Sequence, residues 1–247
     1  MSVKSAVRVL KIFELLVEYP DGLSMREISE RLSLPQSSAF HLIKTLHERR
    51  YISVTNQKIY KLGPKLIQIG TKALENLDLT TEAEPHLRRL MENVEETVFM
   101  AVLLDQELVY VAKVDNRRSV RTSAQIGARK PLYCTGLGKT FLANVTEHVR
   151  DQLLVNEELT AITNKTITDV ETLKDQLNQF KAQGYSIDDE ENEEGLYCLA
   201  APVFNVEGNI IAAISVAGPK ERIYPRKKTI TEKLLHTSKA ISESIGY

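Results

Sequence analysis

The sequence predicts an α+β protein of two domains, and three observations lead to this prediction. The chain has 247 residues, 43% of them hydrophobic, which is enough for one large or two ordinary domains with packed cores. In its first part apolar residues recur at helical spacing, whereas from Thr97 onwards paired β-rich runs alternate with blocks of helix. The charge is divided in the same way: residues 1–65 carry 11 Lys and Arg against 6 Asp and Glu, a net of +5, and residues 66–247 carry 21 against 27, a net of −6. A small basic helical module, suited to a polyanion, and a larger acidic module with an antiparallel sheet follow from these observations.

Two amphipathic helices are predicted at the start of the basic module. Residues 4–17 place apolar side chains on one helical face and are stopped by the turn Tyr-Pro-Asp-Gly at residues 19–22. Ser24 is suited to be the N-cap of the next helix, and Glu27, three residues later, completes a capping box. This second helix is expected to continue through Leu32.

A third helix follows after a very short turn. Only Ser33 and Leu34 are left for the turn, and Pro35 is favoured in the first turn of a helix that runs to about Arg49. Two helices joined in this way are typical of a helix-turn-helix unit. Residues 51–63, YISVTNQKIYKLG, contain two short β-rich runs around a polar turn, which predicts the hairpin called a wing. The basic module therefore has the outline of a winged helix-turn-helix domain.

The chain is expected to divide near residue 64 and again near residue 80. Residues 64–79 return to helical spacing and are interpreted as a linker helix, which leaves residues 1–63 as the winged domain and residues 80–247 as the second domain. In the second domain two hairpins are predicted, around Asp105-Gln106 and around residues 207–209, and their strands would form one antiparallel sheet. Helices are expected to flank this sheet at about residues 81–94, 136–144, 147–156, 169–183 and 226–245.

The third helix has two faces with different chemistry. An apolar stripe must pack on the first two helices, and its members are Ala39, Leu42, Ile43 and Leu46. The opposite face and the segments beside it carry polar and basic side chains that can hydrogen-bond base edges or phosphates. The candidate DNA-binding residues are Gln36, Ser37, Ser38, Phe40, His41, Lys44, Arg49, Arg50, Lys58 and Lys61. Such a face is more often simply solvated, but the short turn, the wing and the basic charge together favour contact with double-stranded DNA.

The segment PLYCTGLGKTFLA, residues 131–143, contains a Gly-Lys-Thr triplet that invites comparison with a nucleotide-binding P-loop. A P-loop requires a glycine five positions before Gly138, and Tyr133 stands there, so the P-loop is excluded. What remains is a glycine-containing turn that opens a helix. Free backbone N–H groups at such a turn can bind an anion, but the same sequence is equally compatible with a tight turn that binds nothing.

Neither the cysteines nor the acidic residues predict a metal centre. Cys134 and Cys198 are the only cysteines and lie 64 positions apart, which fits neither a disulfide framework nor a metal-ligand spacing, so we expect reduced thiols. The acidic residues 188–194 supply hard oxygen ligands but lack a calcium-loop pattern, and a solvated loop is the preferred interpretation. We expect no metal and no other cofactor.

Six segments spread over the chain share a pattern with one known family. They are SAVRVLKIFELL, LSMREISERLSLPQSSAFHLIKTLHERRYI and YKLGPKLIQIG in the first domain, and RKPLYCTGLGKTFLA, GYSIDDEENEEGLYCLAAPVFN and IIAAISVAGP in the second. By these segments the sequence resembles the IclR family of bacterial transcriptional regulators, and the last three segments are specific to that family. The resemblance implies a winged helix-turn-helix followed by a GAF-like effector-binding domain, in a dimer or a dimer-of-dimers tetramer.

The resemblance also implies an effector pocket in the second domain. In similar proteins the pocket is lined by the glycine-containing turn, by the loop before it and by the strand after the acidic segment. Carried over to this sequence, the pocket residues are Gly136, Leu137, Asp188, Cys198 and Ser215. Backbone donors beside a hydroxyl, a thiol and one carboxylate suit a small carboxylate that also carries a hydroxyl or keto group. Arg121 and Arg129 could add positive charge, although surface solvation is the preferred interpretation of both.

Two positions depart from the family pattern. Family members often have Arg where this chain has His41, which is a weaker and pH-dependent cation. Many have Gly where this chain has Arg50, just past the end of the third helix, so Arg50 is expected to adopt a left-handed conformation at some cost. Both changes bear on which operator sequence is bound.

Enzymatic activity is not expected. The five histidines, at positions 41, 47, 86, 148 and 236, all lie in helical patterns, without the glycine-rich or strand-end context of a catalytic base. A thiol enzyme built on Cys198 and a stand-alone metabolite-binding protein stay open as alternatives. No run approaches the ~20 apolar residues of a membrane span, so we expect a cytoplasmic protein with no membrane partner. The predicted function is that of a sequence-specific transcriptional regulator, a repressor rather than an activator, that binds a palindromic operator and responds to a small keto or hydroxy acid.

Overall fold

The computed structural model describes residues 3–75, 79–116, 118–120, 122–155 and 158–247. The chain forms two compact units, residues 1–77 and residues 78–247. Arg121 and the end of the expected linker helix at residues 76–78 lie outside the described residues.

The first unit is a small helical domain with a short sheet. Its elements are α1 (Lys4–Glu18), β1 (Leu23–Ser24), α2 (Met25–Arg31), α3 (Gln36–Glu48), β2 (Ile52–Val54), β3 (Ile59–Leu62) and α4 (Pro64–Glu75). Its core is one apolar cluster whose buried members include Ile12, Leu16, Ile28, Ile43 and Ile52. The predicted winged helix-turn-helix outline is therefore confirmed, with one addition: Leu23 pairs with Tyr60, which makes the wing a three-stranded sheet in the order β1-β3-β2.

The ends of α2 and α3 follow from local chemistry. The capping box of α2 is present, because Ser24 Oγ accepts from the backbone N–H of Glu27 at 3.3 Å and Glu27 Oε2 accepts from the backbone N–H of Ser24 at 2.8 Å. Pro35 was expected inside the first turn of α3 but is its N-cap, with extended backbone angles of φ −58° and ψ 136°. The helix therefore begins one residue later than the sequence suggested.

The last turn of α3 closes in a Schellman arrangement around Arg50. The N–H of Arg50 bonds to the carbonyl of His47 at 2.9 Å, and the N–H of Tyr51 bonds to that of Leu46 at 2.9 Å. Arg50 has φ 63°, the left-handed conformation that the missing glycine predicted. This side chain consequently sits on strained backbone beside the exposed face of α3.

The second unit is built on a six-stranded antiparallel sheet in the order β6-β5-β4-β9-β8-β7. Its strands are β4 (Thr97–Leu104), β5 (Glu107–Val114), β6 (Arg129–Lys130), β7 (Ser186–Asp189), β8 (Leu196–Phe204) and β9 (Ile210–Pro219). Its helices are α5 (Leu79–Val94), α6 (Gly136–Asn144), α7 (Glu147–Val155), α8 (Val170–Gln183), α9 (Lys220–Ile223) and α10 (Lys227–Ser244), with a 3₁₀ turn at Tyr224–Arg226. The predicted α+β class with an antiparallel sheet and flanking helices is confirmed.

Both predicted hairpins are present. Asp105 and Gln106 join β4 to β5 with φ values of 50° and 69°, the pair of positive angles that a two-residue type I′ turn requires. The sequence did not predict β6, β7, α9 or the 3₁₀ turn, which are all four residues long or less. The helix expected from Thr81 begins at Leu79.

Helices cover both faces of the sheet. One face, which includes Phe99, Cys198 and Ala200, shares its apolar cluster with residues of α6 and α8. Strand alternation turns residues such as Val98 and Val216 to the opposite face, where they are fully buried. There α5 and α10 pack on each other and on the strands. Among the described residues, no helix combines the length and the apolarity needed to cross a membrane.

Candidate functional site

The recognition face of α3, meaning its exposed side, separates cleanly from its core side. Ala39, Ile43 and Leu46 are buried, and Leu42 packs partly buried against the same cluster. The exposed side consists of Gln36, Ser37, Phe40, His41, Lys44 and Thr45. Phe40 is 51% exposed although it is a large apolar side chain. This phenyl ring offers an apolar contact on a face whose other members are polar or charged.

The first turn of α3 carries no acidic residue, so the positive end of its dipole is not neutralised locally. The ring of His41 lies edge-on to Phe40, with the two centroids 5.7 Å apart. Lys44 is 3.9 Å from Glu48, but both side chains are more than half exposed, and such a pair is worth little in water. Lys44 is therefore available to an anionic partner.

Ser38 differs from the other candidate DNA-binding residues. It is half-buried, and its Oγ accepts a hydrogen bond from Arg8 of α1 at 3.2 Å. Arg8 was not singled out in the sequence, since its position in the amphipathic pattern of α1 gives no sign of this contact. The bond fixes the start of α3 against α1.

The remaining candidate cations surround the end of α3. Arg49, Arg50 and Lys58 are exposed, and Lys61 is half-buried on β3. Lys58 stands at φ 59° in the turn of the wing. The first unit thus presents positive charge at the end of α3 and on the wing.

A small cavity lies in the second unit, against the N-terminus of α6. Its walls come from β4, β5, β6, β7, β8 and β9, from the turn before α6, and from residues 122–124 and 192–193. Four of the five predicted effector residues line it, namely Gly136, Asp188, Cys198 and Ser215. The fifth, Leu137, is not in the wall, because its side chain is buried in the apolar cluster beside it.

Strand register brings these residues together. Asp188 on β7 is the direct partner of Cys198 on β8, and Ser215 on β9 is flanked by Ala200 and Phe99. Gly136 lies against the sheet so closely that an added Cβ would be 2.9 Å from Cys198 Sγ. Glycine at this position is what allows the helix end to approach the cavity.

The N-terminus of α6, which lies beside the cavity, is capped by the side chain of Thr135. Thr135 Oγ1 accepts from the N–H of Gly138 at 3.1 Å and donates to the carbonyl of Pro131 at 2.7 Å. The N–H groups of Gly136 and Leu137 precede the first intrahelical bond and are suited to a ligand anion. Ser186 Oγ donates to the carbonyl of Gly136 at 2.6 Å, which ties this helix end to β7.

A buried ion pair lies behind the cavity. Lys139 is completely buried, forms an ion pair with Glu191, and donates to Gln176 Oε1 at 3.0 Å. The expectation of a solvated acidic loop is wrong at Glu191, which is 5% exposed, whereas Asp188, the residue of this run that was expected in the pocket, is 1% exposed. Sequence reasoning missed Lys139, although a lysine inside the apolar helix GLGKTFLA is a signal, since a buried cation requires a partner.

Asp188 is the buried carboxyl that faces the cavity. Its Oδ1 accepts the backbone N–H of Glu191 at 2.8 Å and that of Asn192 at 3.4 Å. Burial raises the pKa of Asp188 to about 7, although Lys139 and the two N–H groups act in the opposite direction. Burial also raises the pKa of Glu191, against the attraction of Lys139. The two buried carboxyl groups, of Asp188 and Glu191, thus share a single buried ammonium, that of Lys139.

The two remaining side chains of the cavity are neutral. Burial and then the neighbouring Asp188 raise the pKa of Cys198 to about 12, so its thiol is protonated. Ser215 is completely buried, and within the described part of the chain its Oγ has at most the weak Cys198 thiol as a hydrogen-bond partner. A buried hydroxyl without a strong hydrogen bond costs stability, so its presence needs a reason.

The cavity has a volume of about 30 Å³, room for a water molecule or two. A wider groove of about 920 Å³ runs between α5 and β5. Its charged groups pair with one another, as Arg88 does with Glu84 and Arg118 with Glu95, both at 2.6 to 2.7 Å. Convergent buried polar groups distinguish the small cavity as the better candidate for a specific ligand.

Comparison with known families decides the identity. The model described as Bacterial transcriptional regulator IclR C-terminal matches residues 71–243, and the one described as IclR helix-turn-helix domain matches residues 5–55. The chain belongs to the IclR family. It is accordingly a DNA-binding transcriptional regulator of a family in which many members are repressors.

Individual members of the IclR family match over nearly the whole chain. The HTH-type transcriptional regulator KdgR of Escherichia coli (strain K12) is 34% identical over 248 residues, covering 100% of this chain and 94% of that protein. The transcriptional repressor IclR of the same organism is 35% identical over 224 residues, covering 90% of this chain and 82% of that protein. The crystal structure of the Agrobacterium tumefaciens repressor BlcR superposes with a TM-score of 0.85 at 26% identity, covering 100% and 98% of the two chains.

Proposed function

We propose that this IclR-family regulator is a cytoplasmic repressor that binds a palindromic operator as a dimer or dimer-of-dimers tetramer and is controlled by a small keto or hydroxy acid. The observation that carries the effector part is the small cavity in which a helix N-terminus, a buried hydroxyl without a strong hydrogen bond and a buried carboxyl converge. In this proposal residues 1–63 are the DNA-binding domain, residues 64–79 the linker and residues 80–247 the effector-binding domain.

The DNA contacts would be made by the recognition face of α3 and the cations beside it. Gln36 and Ser37, in the first turn, are suited to base edges or phosphates, and Phe40 is suited to a thymine methyl group. His41 and Lys44 continue this face, and Ser38 contributes through its bond to Arg8. Phosphate contacts are assigned to Arg49, Arg50, Lys58 and Lys61.

The effector carboxylate would lie at the N-terminus of α6, where the N–H groups of Gly136 and Leu137 and the helix dipole favour an anion. The keto or hydroxyl oxygen would accept from or donate to Ser215, which gives this buried hydroxyl a strong partner. Cys198 would contribute a neutral wall. Because the cavity holds little more than a water molecule, residues 122–124 and 192–193 must move to admit such a ligand.

The effector can control DNA binding if it binds one of two arrangements of the dimer or tetramer more tightly than the other. Two winged domains in a dimer can place their α3 helices in successive major grooves of a palindromic site. A ligand that binds one arrangement more tightly shifts the equilibrium towards it and changes the spacing of these helices. A coupling of about 1–3 kcal/mol changes operator affinity about 5- to 150-fold.

The proposed operator binding is tested by measuring binding to the DNA upstream of the protein's own gene, with random DNA as competitor. We expect the full-length protein to prefer its upstream DNA, and Lys44→Ala to weaken binding with no change in melting temperature. Lys239→Ala, which removes an equally exposed cation from α10, is the matched control and should bind normally. Equal binding to random and upstream DNA would contradict the proposal.

The effector half is tested by thermal shift with a panel of small 2-keto and 2-hydroxy acids. A hit should stabilise the protein and change its operator affinity. A panel without a single hit would exclude this ligand class.

A thiol-dependent enzyme is not supported by the cavity. Cys198 is held in its protonated form, and no histidine lies among the described residues that line the wall. The nucleophile therefore lacks both the thiolate and the base that such chemistry requires. A stand-alone metabolite-binding protein would not account for the helix-turn-helix unit.

A further inference from the structure

In the wall of the cavity and directly behind it lie two buried carboxyl groups, of Asp188 and Glu191, but only one buried ammonium, that of Lys139. Lys139 is engaged with Glu191 and Gln176, so its charge is already balanced. Asp188 is the second carboxyl, and it faces the cavity that the proposed effector would enter. The ionisable groups around Asp188 are Lys139 on α6, Glu191 and Glu193 after β7, Cys198 on β8, Tyr110 on β5 and Lys130 on β6.

Most of these groups cannot neutralise a new negative charge. Burial keeps Cys198 and Tyr110 protonated, so both are neutral. Glu193 is exposed at the edge of the cavity and would only add repulsion. Lys130 is the one further cation in the wall among the described residues, and it lies half-buried on the short strand β6.

The two oxygens of Asp188 have different surroundings. Both backbone N–H groups, of Glu191 and Asn192, bond to Oδ1. Oδ2 is therefore the oxygen that can carry a proton without losing these bonds. A protonated Oδ2 becomes a hydrogen-bond donor in the cavity wall, beside the hydroxyl groups of Ser215 and Tyr110 and the helix N-terminus.

We propose that the effector carboxylate enters this cavity together with one proton from solvent, which is then shared between the ligand and Oδ2 of Asp188. This inference rests on the proposed function, since it assumes that the ligand is a carboxylate. An ionised ligand beside an ionised Asp188 would place two like charges in one small cavity, whereas a protonated Asp188 donates to the ligand. The occupied state is therefore favoured by acid.

The expected pH dependence of effector affinity follows from the titration of Asp188. Its pKa lies at about 7 in the empty site, whereas small keto and hydroxy acids stay ionised throughout the range from pH 6 to 8.5. Below pH 7 the proton is already in place, and above it binding must take the proton up. Affinity should therefore fall about 25-fold between pH 6.5 and 8.5, with nearly one proton taken up per ligand at pH 8.

The empty protein provides the first test, which needs no ligand. Carbon-13 NMR of the aspartate carboxyl groups, with Asp188→Asn to assign the signal, should show Asp188 titrating near pH 7. Titration near pH 4 would overturn the inference whatever the ligand, and it would leave the proposed function standing.

Calorimetric titration of the full-length protein with acetate, pyruvate and lactate provides the second test. Measurements in two buffers of different ionisation enthalpy count the protons taken up, which should rise from near zero at pH 6 to nearly one at pH 8. Binding without proton uptake would overturn the inference but keep the carboxylate effector, and loss of that binding in Lys130→Met would identify the cation responsible. If none of the three probes binds at pH 6, the proposed ligand class and the inference fail together.

A pair of neighbouring variants separates protonation from simple damage to the site. Asp188→Asn keeps the acceptor for both backbone N–H groups and permanently offers a donor in place of Oδ2–H, so its affinity should no longer depend on pH between 6.5 and 8.5. Asp189→Asn, one residue away and half-exposed, should keep the wild-type pH dependence. A pH dependence that survives in Asp188→Asn would contradict the role of this carboxyl.

Discussion

At the residue scale, two buried polar side chains in the cavity wall lower the stability of the folded protein. Ser215 buries a hydroxyl that has at most the weak Cys198 thiol as a partner within the described part of the chain, and Asp188 buries a carboxyl beside an ion pair that is already complete. Each costs free energy of folding, and each lies in the same wall. Groups of this kind are expected where a ligand supplies the missing partner.

The first prediction concerns Ser215→Ala. Removal of a buried hydroxyl whose partner is at most a weak thiol should raise the free energy of unfolding by about 1 kcal/mol, because the desolvation cost disappears and little volume is lost. The same change should weaken the response to an effector identified by thermal shift. Chemical denaturation and ligand titration of the same variant measure both effects.

The control for this variant is Thr231→Val, which removes a buried hydroxyl that has no hydrogen-bond partner among the described residues, on α10 and away from the cavity. It should leave the ligand response at the wild-type level. A Ser215→Ala variant that keeps a full ligand response would remove this residue from the pocket.

The second prediction is a pH dependence of stability that comes from Asp188. Its pKa is about 7 in the folded protein against an ordinary value of 3.8, so between these values the folded state holds a proton that the unfolded state has released. Stability from this group is therefore lost as pH rises from about 4 to about 7 and stays lost above that. Asp188→Asn should be more stable than the wild type by about 2–4 kcal/mol at pH 8, and the advantage should vanish towards pH 4.

Urea unfolding of both proteins at pH 8, 6 and 4.5 measures this difference. Asp189→Asn serves as the comparison, and it should show no gain at high pH because its carboxyl is paired with Lys165 and Lys220. An advantage of Asp188→Asn that is the same at all three pH values would show that something other than its ionisation is responsible.

At the element scale, α3 is defined by the two residues that border it. Pro35 begins the helix from an extended conformation, and Arg50 ends it in the left-handed conformation. The second of these is unfavourable for a residue with a side chain, by roughly 1 kcal/mol or more. The cation at this position is retained against that cost, which is consistent with its proposed contact with phosphate.

The third prediction therefore compares two adjacent arginines. Arg50→Gly should raise the free energy of unfolding by about 1 kcal/mol, because glycine adopts a positive φ without strain. Arg49 has φ −89°, so it is not strained, and Arg49→Gly should lower the free energy of unfolding because glycine loses more conformational entropy on folding. Both variants lose one cation and should bind operator DNA more weakly, as measured by titration at fixed salt. Equal changes in stability would contradict the strain at Arg50.

The elements also show what the sequence could and could not predict. Periodicity and caps predicted α3, α6 and the two long hairpins within a residue or two, because each is long enough to show a repeat or has a turn of defined chemistry. Strands of two to four residues, such as β1 and β7, show no repeat, and they exist because a neighbouring strand offers free backbone groups. The acidic run was therefore taken for a loop, although its first two residues belong to β7.

The residues of the candidate site were likewise predictable from the sequence only in part. Asp188, Cys198 and Ser215 came from motif resemblance, and the strand register that unites them is not visible in a single sequence. The pairing of Lys139 with Glu191 joins residues 52 positions apart. Periodicity describes one element at a time, so contacts of this range require the sheet topology.

At the scale of the whole molecule, the charge division of the sequence has a thermodynamic consequence for DNA binding. The fourth prediction is that log K for the operator falls linearly with log salt, and that Lys58→Ala reduces the slope by about 0.9 for each subunit bound. The reason is that each phosphate contact releases condensed counterions. Filter binding or fluorescence anisotropy over a range of salt concentrations provides the measurement.

Lys239→Ala, in the acidic second unit, should leave the slope unchanged and serves as the control. If Lys58→Ala weakens binding at every salt concentration by the same factor, the residue contributes something other than a phosphate contact.

The small volume of the cavity also governs how fast the regulator can respond. A ligand of several non-hydrogen atoms is larger than a space of about 30 Å³, so under the proposed function its association would require residues 122–124 and 192–193 to move first. At high effector concentration the observed rate of association should then reach a plateau set by that motion, rather than rise without limit. At saturating effector concentration, the timing of the transcriptional response would then be set by the motion of the protein and not by the supply of effector.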